Sequence, residues 1–162
     1  MMVDRHVVKM ILESAQLLST AHRVLDGHEY IDTTGKRKVK RWMLSGDRDQ
    51  HIYSATHVNH PSAKWVRESP YHYRWLYVHF LALMDEYTYR YGKTHACKRL
   101  CAYLMYPPVN IGCHAWHQPP CAMDPVYIIS TDPVENYRNY YRLGKAKIHK
   151  WTKRSPPTWL VD

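Results

Sequence analysis

Residues 4–27, DRHVVKMILESAQLLSTAHRVLDG, decide the fold. Val, Ile, Leu and Met fill one side at helical spacing. His6, Lys9, Glu13, Gln16 and Thr20 recur at alternating three- and four-residue steps and stack as a polar stripe beside them. Asp4 is a residue type that caps helix starts, and Gly27 is the type favoured just past a helix end. One amphipathic helix is therefore expected between them, and an apolar side of that length needs cover from the segments that follow.

Those segments read as follows. Residues 28–62 are rich in Gly, Ser, Thr, Asp and His and are expected to be an irregular basic loop, with one short hairpin around Thr34-Gly35. A second helix begins at Ser69-Pro70 and ends at Gly92, with Trp75, Tyr77, Val78, Leu81 and Met84 as its apolar positions. KTHACKRLCAYLMY, residues 93–106, continues as a third helix that Pro107-Pro108 terminates, because proline lacks the backbone donor. Residues 107–130, rich in Pro, Cys and His, form a long loop. Asp132-Pro133-Val134-Glu135 has the signature of a helix start and opens a fourth helix to about Leu143. A basic tail, 144–162, closes the chain in an extended form. The expected fold class is mainly α: a compact single-domain fold of about four helices with long irregular loops.

A chain of 162 residues suits one domain, 1–162, with a sizeable core. No uninterrupted apolar run of about eighteen residues is present to cross a bilayer. The first residues lack a basic-then-apolar leader, so the expected location is the cytoplasm, where the four cysteines would stay reduced.

Charge gives the first pointer to a partner. There are 23 Lys and Arg against 14 Asp and Glu, a formal net charge of +9. Twelve of those 23 cations fall in two stretches, Lys36, Arg37, Lys38, Lys40 and Arg41, then Arg138, Arg142, Lys145, Lys147, Lys150, Lys153 and Arg154. Such clustering fits a phosphate backbone, because each neutralised phosphate releases condensed counterions. It also fits a merely solubilising surface. With 14 Tyr and 6 Trp against one Phe, nearly every aromatic carries a polar handle. NYRNYYRLGK interleaves them with cations as base stacking beside phosphate contact would require, and as a core helix with tyrosines at its rim would also show.

Several chemistries lack their motifs. Neither G-x-x-x-x-G-K-[ST] nor G-x-G-x-x-G occurs, which argues against nucleotide triphosphate chemistry, and no G-x-S-x-G elbow marks a serine hydrolase. Cys97 and Cys101 lie one helical turn apart, and Cys113, His114, His117 and Cys121 crowd the next loop. Thiolates and imidazoles of this kind could complete a zinc site, but the spacing matches no common finger, and buried free thiols account for it. His57 and His60 in THVNHP read as loop hydrogen-bonders. No metal and no cofactor is expected. Glu13 lies one turn on from Lys9 and two from His6; it would be held ionised beside cations or raised if desolvated, and either state serves acid–base chemistry. Ordinary solvated helix faces carry the same Glu–Lys pairs.

DRHVVKMILESAQLLSTAHRVLDG, HVNHPSAKWVRES, WLYVHFLALMDEYTYRYGKTH and VENYRNYYRLGKAKIHKW together resemble a family of phage-encoded proteins, which has a more distant similarity to the small helical pyrimidine-dimer DNA glycosylases of the endonuclease V type. His6 and Glu13, seven residues apart, resemble the histidine and catalytic glutamate of those enzymes; HVNHP before a long aromatic-rich helix resembles their middle; Tyr140 to Ala146, YYRLGKA, resembles their tyrosine-rich Tyr-Gly-Lys-Ala ending. The resemblance implies a glycosylase and abasic-site lyase acting on damaged duplex DNA in the host cell of a phage. A free N-terminal amine, here that of Met1, would attack the sugar C1′, and Glu13, with His6 beside it, would stabilise the cationic intermediate and move protons. Lys9, Arg23, Lys40, Arg41, Arg142, Lys145 and Lys147 would hold phosphates. Two other readings stay open: a non-catalytic nucleic-acid-binding protein on the same basic surface, and a small protein that binds a host factor or a nucleotide-like ligand.

Overall fold

In the computed structural model, which describes residues 2–161, the first helix α1 runs Asp4–Asp26. Val7, Ile11, Ala15, Leu18 and Ala21 repeat at three- and four-residue steps and are fully buried. They face α4 (Pro70–Tyr91), which answers with Tyr73, Leu76, Tyr77, Phe80, Leu83 and Met84. α1 packs more extensively on α4 than on any other element. Each buried Val, Ile, Leu, Phe or Met among them contributes about 1.5–3 kcal/mol of transfer free energy, and truncating Phe80 to Ala would cost about 3–5 kcal/mol. Two expected apolar positions of α4 point elsewhere: Trp75 and Val78 are exposed.

Asp4 does not cap α1. The N-cap is Val3, and Asp4 is the first helical residue. Its buried carboxylate accepts from Arg90 Nη1 at 2.8 Å and from the Thr152 amide and hydroxyl at 2.9 and 2.8 Å. The start of α1 and the segment around Thr152 are thereby tied to the end of α4, and Arg154 adds a bond to Glu86, which also binds Arg90.

At its far end α1 stops at Gly27, whose amide still bonds the Arg23 carbonyl at 3.0 Å while the backbone turns extended. A Cβ there would collide with that carbonyl and press on Trp42 and Met43, so the tight entry into the next element requires glycine. That element is an antiparallel hairpin, β1 (His28–Asp32) and β2 (Val39–Met43), in the register Asp32↔Val39. Asp32 closes its tip by accepting from the Thr34 amide and hydroxyl. The hairpin expected around Thr34-Gly35 is present, but residues 28–62 are less irregular than expected, since the short helix α2 (Arg48–His51) and the start of α3 (Pro61–Glu68) also fall there.

α3 forms because His60 Nδ1 accepts from the Ser62 amide, a capping role outside the usual Ser/Thr/Asp/Asn set, with Pro61 in the first turn. Ser69 ends it in an extended conformation and caps α4 through Oγ, and Gly92 ends α4 with a left-handed φ of 65°. The expected third helix over 93–106 is instead a 3-10 turn, Ala96–Leu100, running into the one-turn α5 (Cys101–Leu104). Its buried residues, Cys97 and Leu100, are three apart, a spacing that a 3-10 turn accommodates.

α6 (Pro133–Gly144) starts where expected, with Asp132 Oδ1 accepting from the Val134 amide at 2.8 Å. The tail beyond it is not extended throughout: it carries a 3-10 turn, Ala146–Ile148, and a short helix α7, Thr158–Val161. The architecture is mainly α, with seven α-helices and one two-stranded sheet among the described residues rather than about four helices. No helix among them is long and apolar enough to cross a membrane.

Candidate nucleic-acid interface

The polar stripe of α1 is flanked near its start by α6 and near its other end by a loop, each held by a side chain of the stripe. Near its start, the Tyr141 hydroxyl of α6 donates to His6 Nδ1 at 2.5 Å, the rings meeting edge-on at 5.3 Å. Burial pushes the Tyr141 hydroxyl up to about 12, so it stays a donor. Desolvation, then the nearby Lys145 and Lys9 cations, hold the His6 imidazole below its usual range against the opposing pull of Glu13. A neutral imidazole accepting from a neutral phenol is therefore the resting state. His149 Nε2 bonds the Tyr141 carbonyl at 2.9 Å and folds the following turn, with Lys145 and Lys147, back toward this end.

Near the other end of the stripe, Thr20 Oγ1 accepts from the Thr56 amide at 3.1 Å and donates to its carbonyl at 3.3 Å. That strap fixes the THVNHP segment, in which His57 adopts a left-handed φ of 47°. Strain of this kind in a non-glycine residue persists only where neighbours enforce it. Arg67 of α3 supplies part of that enforcement by donating to the Val58 carbonyl at 2.9 Å.

Between the two ends, Glu13 pairs with Lys9 at 2.9 Å, with side chains 38% and 65% exposed. The pair contributes a few tenths of a kcal/mol, and leaves the carboxylate open to solvent. His6, Lys9, Glu13 and Lys145 are thus brought to one region, joined by Tyr141, a residue to which its sequence context alone assigns no role there. Met1, the expected source of the amine, lies outside the described residues.

The expected phosphate contacts divide. Lys147 is exposed with no acidic partner among the described residues, and Lys145 places Nζ 4.7 Å from the Tyr140 ring centroid. Arg142 donates through Nε at 3.1 Å and through Nη2 to the Trp159 carbonyl, which leaves part of its guanidinium exposed. Lys40 and Arg41 lie on the hairpin, paired with Glu29 at 2.9 Å and Asp32 at 3.6 Å. The hairpin follows the C-terminal end of α1 and α6 meets its N-terminal end, so the two cationic groups are separated by roughly 30 Å of helix at 1.5 Å per residue.

Arg23 leaves the set. It is buried, and its guanidinium donates to the carbonyls of Tyr53, Trp42, Asp49 and Ile52 and to the Asp49 carboxylate. All five N–H donors are engaged, so none is left for a phosphate.

The four cysteines are free thiols and do not join the histidines in a ligand cluster among the described residues. Cys97 contacts the Tyr53 hydroxyl at 3.6 Å, and Cys121 accepts from Asn136 at 3.4 Å. One trio of metal-ligand types does converge, Glu68, His72 and His117, with atoms within 4.8 Å of one another. However, His72 Nδ1 donates to the Trp65 carbonyl at 2.8 Å and Nε2 accepts from the His117 amide at 3.2 Å. Both ring nitrogens are already satisfied, and the trio acts as a polar clip between α3, α4 and the loop carrying His117. His117 lies near Cys113 and Cys121 in sequence, but its neighbours in the structure, Glu68 and His72, come from two helices far away in the chain. No protein-family model, characterised protein or solved structure matches this chain.

Proposed function

We propose that this chain is a DNA-processing protein of phage origin, a pyrimidine-dimer glycosylase and abasic-site lyase in which Glu13 is the key carboxylate and His6 its neighbour, acting on duplex DNA in the host cytoplasm. One observation carries the reading. The segments that hold the resemblance, distant in sequence, both lie against the polar stripe of α1: YYRLGKA through Tyr141 and His6, and HVNHP through Thr56, the residue immediately before it, and Thr20. The stripe thereby gathers a solvent-open carboxylate, a neutral imidazole and lysines, which would move protons and hold a polyanion while the N-terminal amine formed the imine. Lys145, Lys147 and Arg142 border that region, and Lys40 and Arg41 extend the cationic surface at the far end of α1.

A second reading retains the DNA and drops the chemistry. It is favoured by the Lys9–Glu13 ion pair, which is what a plain solvated helix face presents. Borohydride trapping with abasic-site duplex separates them. The lyase reading expects a covalent adduct that Glu13→Gln abolishes while leaving duplex affinity intact. Binding without an adduct selects the second reading, and no salt-dependent duplex binding removes both.

A further inference from the structure

The outer face of α4 and the loop before residue 118 form an open basin of about 400 Å³ lined by Tyr71, Arg74, Trp75, Val78 and Trp116. Tyr71, Trp75 and Val78 succeed one another at four- and three-residue steps, on the side of α4 away from α1, and are 65%, 43% and 58% exposed. Trp116 is 45% exposed and stands 6.4 Å from Trp75, the two rings tilted by 45°. The lining includes one cation and no carboxylate.

An exposed indole on a loop is ordinarily mobile, yet Trp116 is held on both sides. Before it, the Gly112 amide bonds the Arg67 carbonyl at 3.3 Å and the His114 amide bonds the Glu68 carbonyl at 3.1 Å. After it, the His117 amide bonds His72, the Trp65 indole N–H donates to the His117 carbonyl at 3.1 Å, and His117 Nε2 meets the Glu68 carboxylate at 2.9 Å. A Cβ at Gly112 would lie 2.5 Å from the Glu68 carbonyl oxygen, so this approach requires glycine. Beneath the basin Trp65 stacks on His72 at 4.4 Å and meets Trp75 and Trp116 edge-on at 5.7 and 5.8 Å. The frame fixes two solvent-facing indoles beside an arginine, and the ordering cost is met before any ligand arrives.

We propose that this basin is a stacking platform for unpaired nucleobases, through which the protein engages single-stranded nucleic acid at a face distinct from the α1 stripe. Flat indole faces accept any base, and a rim guanidinium serves the phosphate that follows it. The net charge of +9 favours a polyanion over an apolar or cationic partner. A second copy of the chain fits less well, because a two-fold contact through this small patch would bring two Arg74 guanidinium groups together.

The test is tryptophan quenching and anisotropy with short oligothymidylate, beside the matching duplex. The intact protein is expected to bind the single strand with quenching. Trp75→Ala and Trp116→Ala should each weaken that binding about tenfold and leave duplex affinity and the circular dichroism unchanged, whereas Trp75→Phe and Trp116→Phe retain most of it. Single-strand binding that is absent in the intact protein, or indifferent to both Ala variants, overturns the proposal whatever the duplex does. So does a dimer that Trp75→Ala dissociates.

Discussion

The Tyr141 hydroxyl and His6 Nδ1 meet at 2.5 Å across 135 residues of sequence. The contact joins the first turns of α1 to the end of α6, so the lysines that follow α6 reach the helix that carries Glu13. Removing the hydroxyl in Tyr141→Phe keeps the ring and leaves His6 without its donor. The expected loss is about 1 kcal/mol, read as a lower urea midpoint with an unchanged slope.

Arg23 separates a structural from a phosphate-binding role. Its five donors converge on carbonyls of residues 42–53 and on Asp49, a planar pattern that an ammonium group cannot reproduce. Arg23→Ala should cost about 3 kcal/mol, since it leaves buried acceptors without partners, and Arg23→Lys should recover only part of it. Thermal denaturation reads the effect. A variant that melts like the parent but binds DNA weakly would return Arg23 to the phosphate contacts.

If the proposed DNA contact runs past the end of α6, Lys145→Ala and Lys147→Ala should each lower duplex affinity for every sequence and reduce the slope of log K against log salt by about 0.9. Lys40→Ala and Arg41→Ala should have smaller effects, because each cation is already paired with an acid on the facing strand, Glu29 or Asp32, and is less available to a phosphate. Titrations of one duplex over a range of salt concentrations give all four slopes.

The helix boundaries legible in the sequence are those set by local chemistry. Gly27, Ser69-Pro70, Gly92 and Asp132-Pro133 each stop or start an element where expected, because a cap acts within one turn of itself. α3 was hidden because its cap is a histidine, and the 3-10 turn at Ala96–Leu100 because a three-residue spacing occurs in both helix types. The site was legible only along α1. Its stripe is periodic, so Lys9 and Glu13 were found, but Tyr141 and the Glu68–His72–His117 clip depend on which distant segments meet. Arg23 was misread for the same reason: a cation looks alike in sequence whether it faces solvent or the carbonyls of a folded loop. Trp75 looked like core because its spacing is helical, although the side of α4 it occupies is opposite the one bearing Tyr73, Leu76 and Phe80.

His22 should govern much of the loss of stability in mild acid. It is buried on α1, where Nε2–H donates to the Tyr73 hydroxyl at 2.9 Å and that hydroxyl donates onward to the Leu104 carbonyl. Desolvation, then the Arg48 cation, push its imidazole down to about 4, with Asp26 and a Tyr106 backbone bond opposing. The unfolded chain takes up the His22 proton near pH 6.5, whereas the folded protein resists it to about 4. Stability from this group is therefore complete above the unfolded value, falls as pH drops through the window between the two, and is fully lost below the folded value. The window corresponds to about 3 kcal/mol. His22→Gln, whose side-chain amide can still donate to Tyr73, should lower the urea midpoint near neutrality but flatten its decline between pH 6.5 and 4. A decline as steep as the parent's would assign the acid sensitivity to His6, His72, His79 and His95, whose imidazoles are also held below their usual range, chiefly by burial.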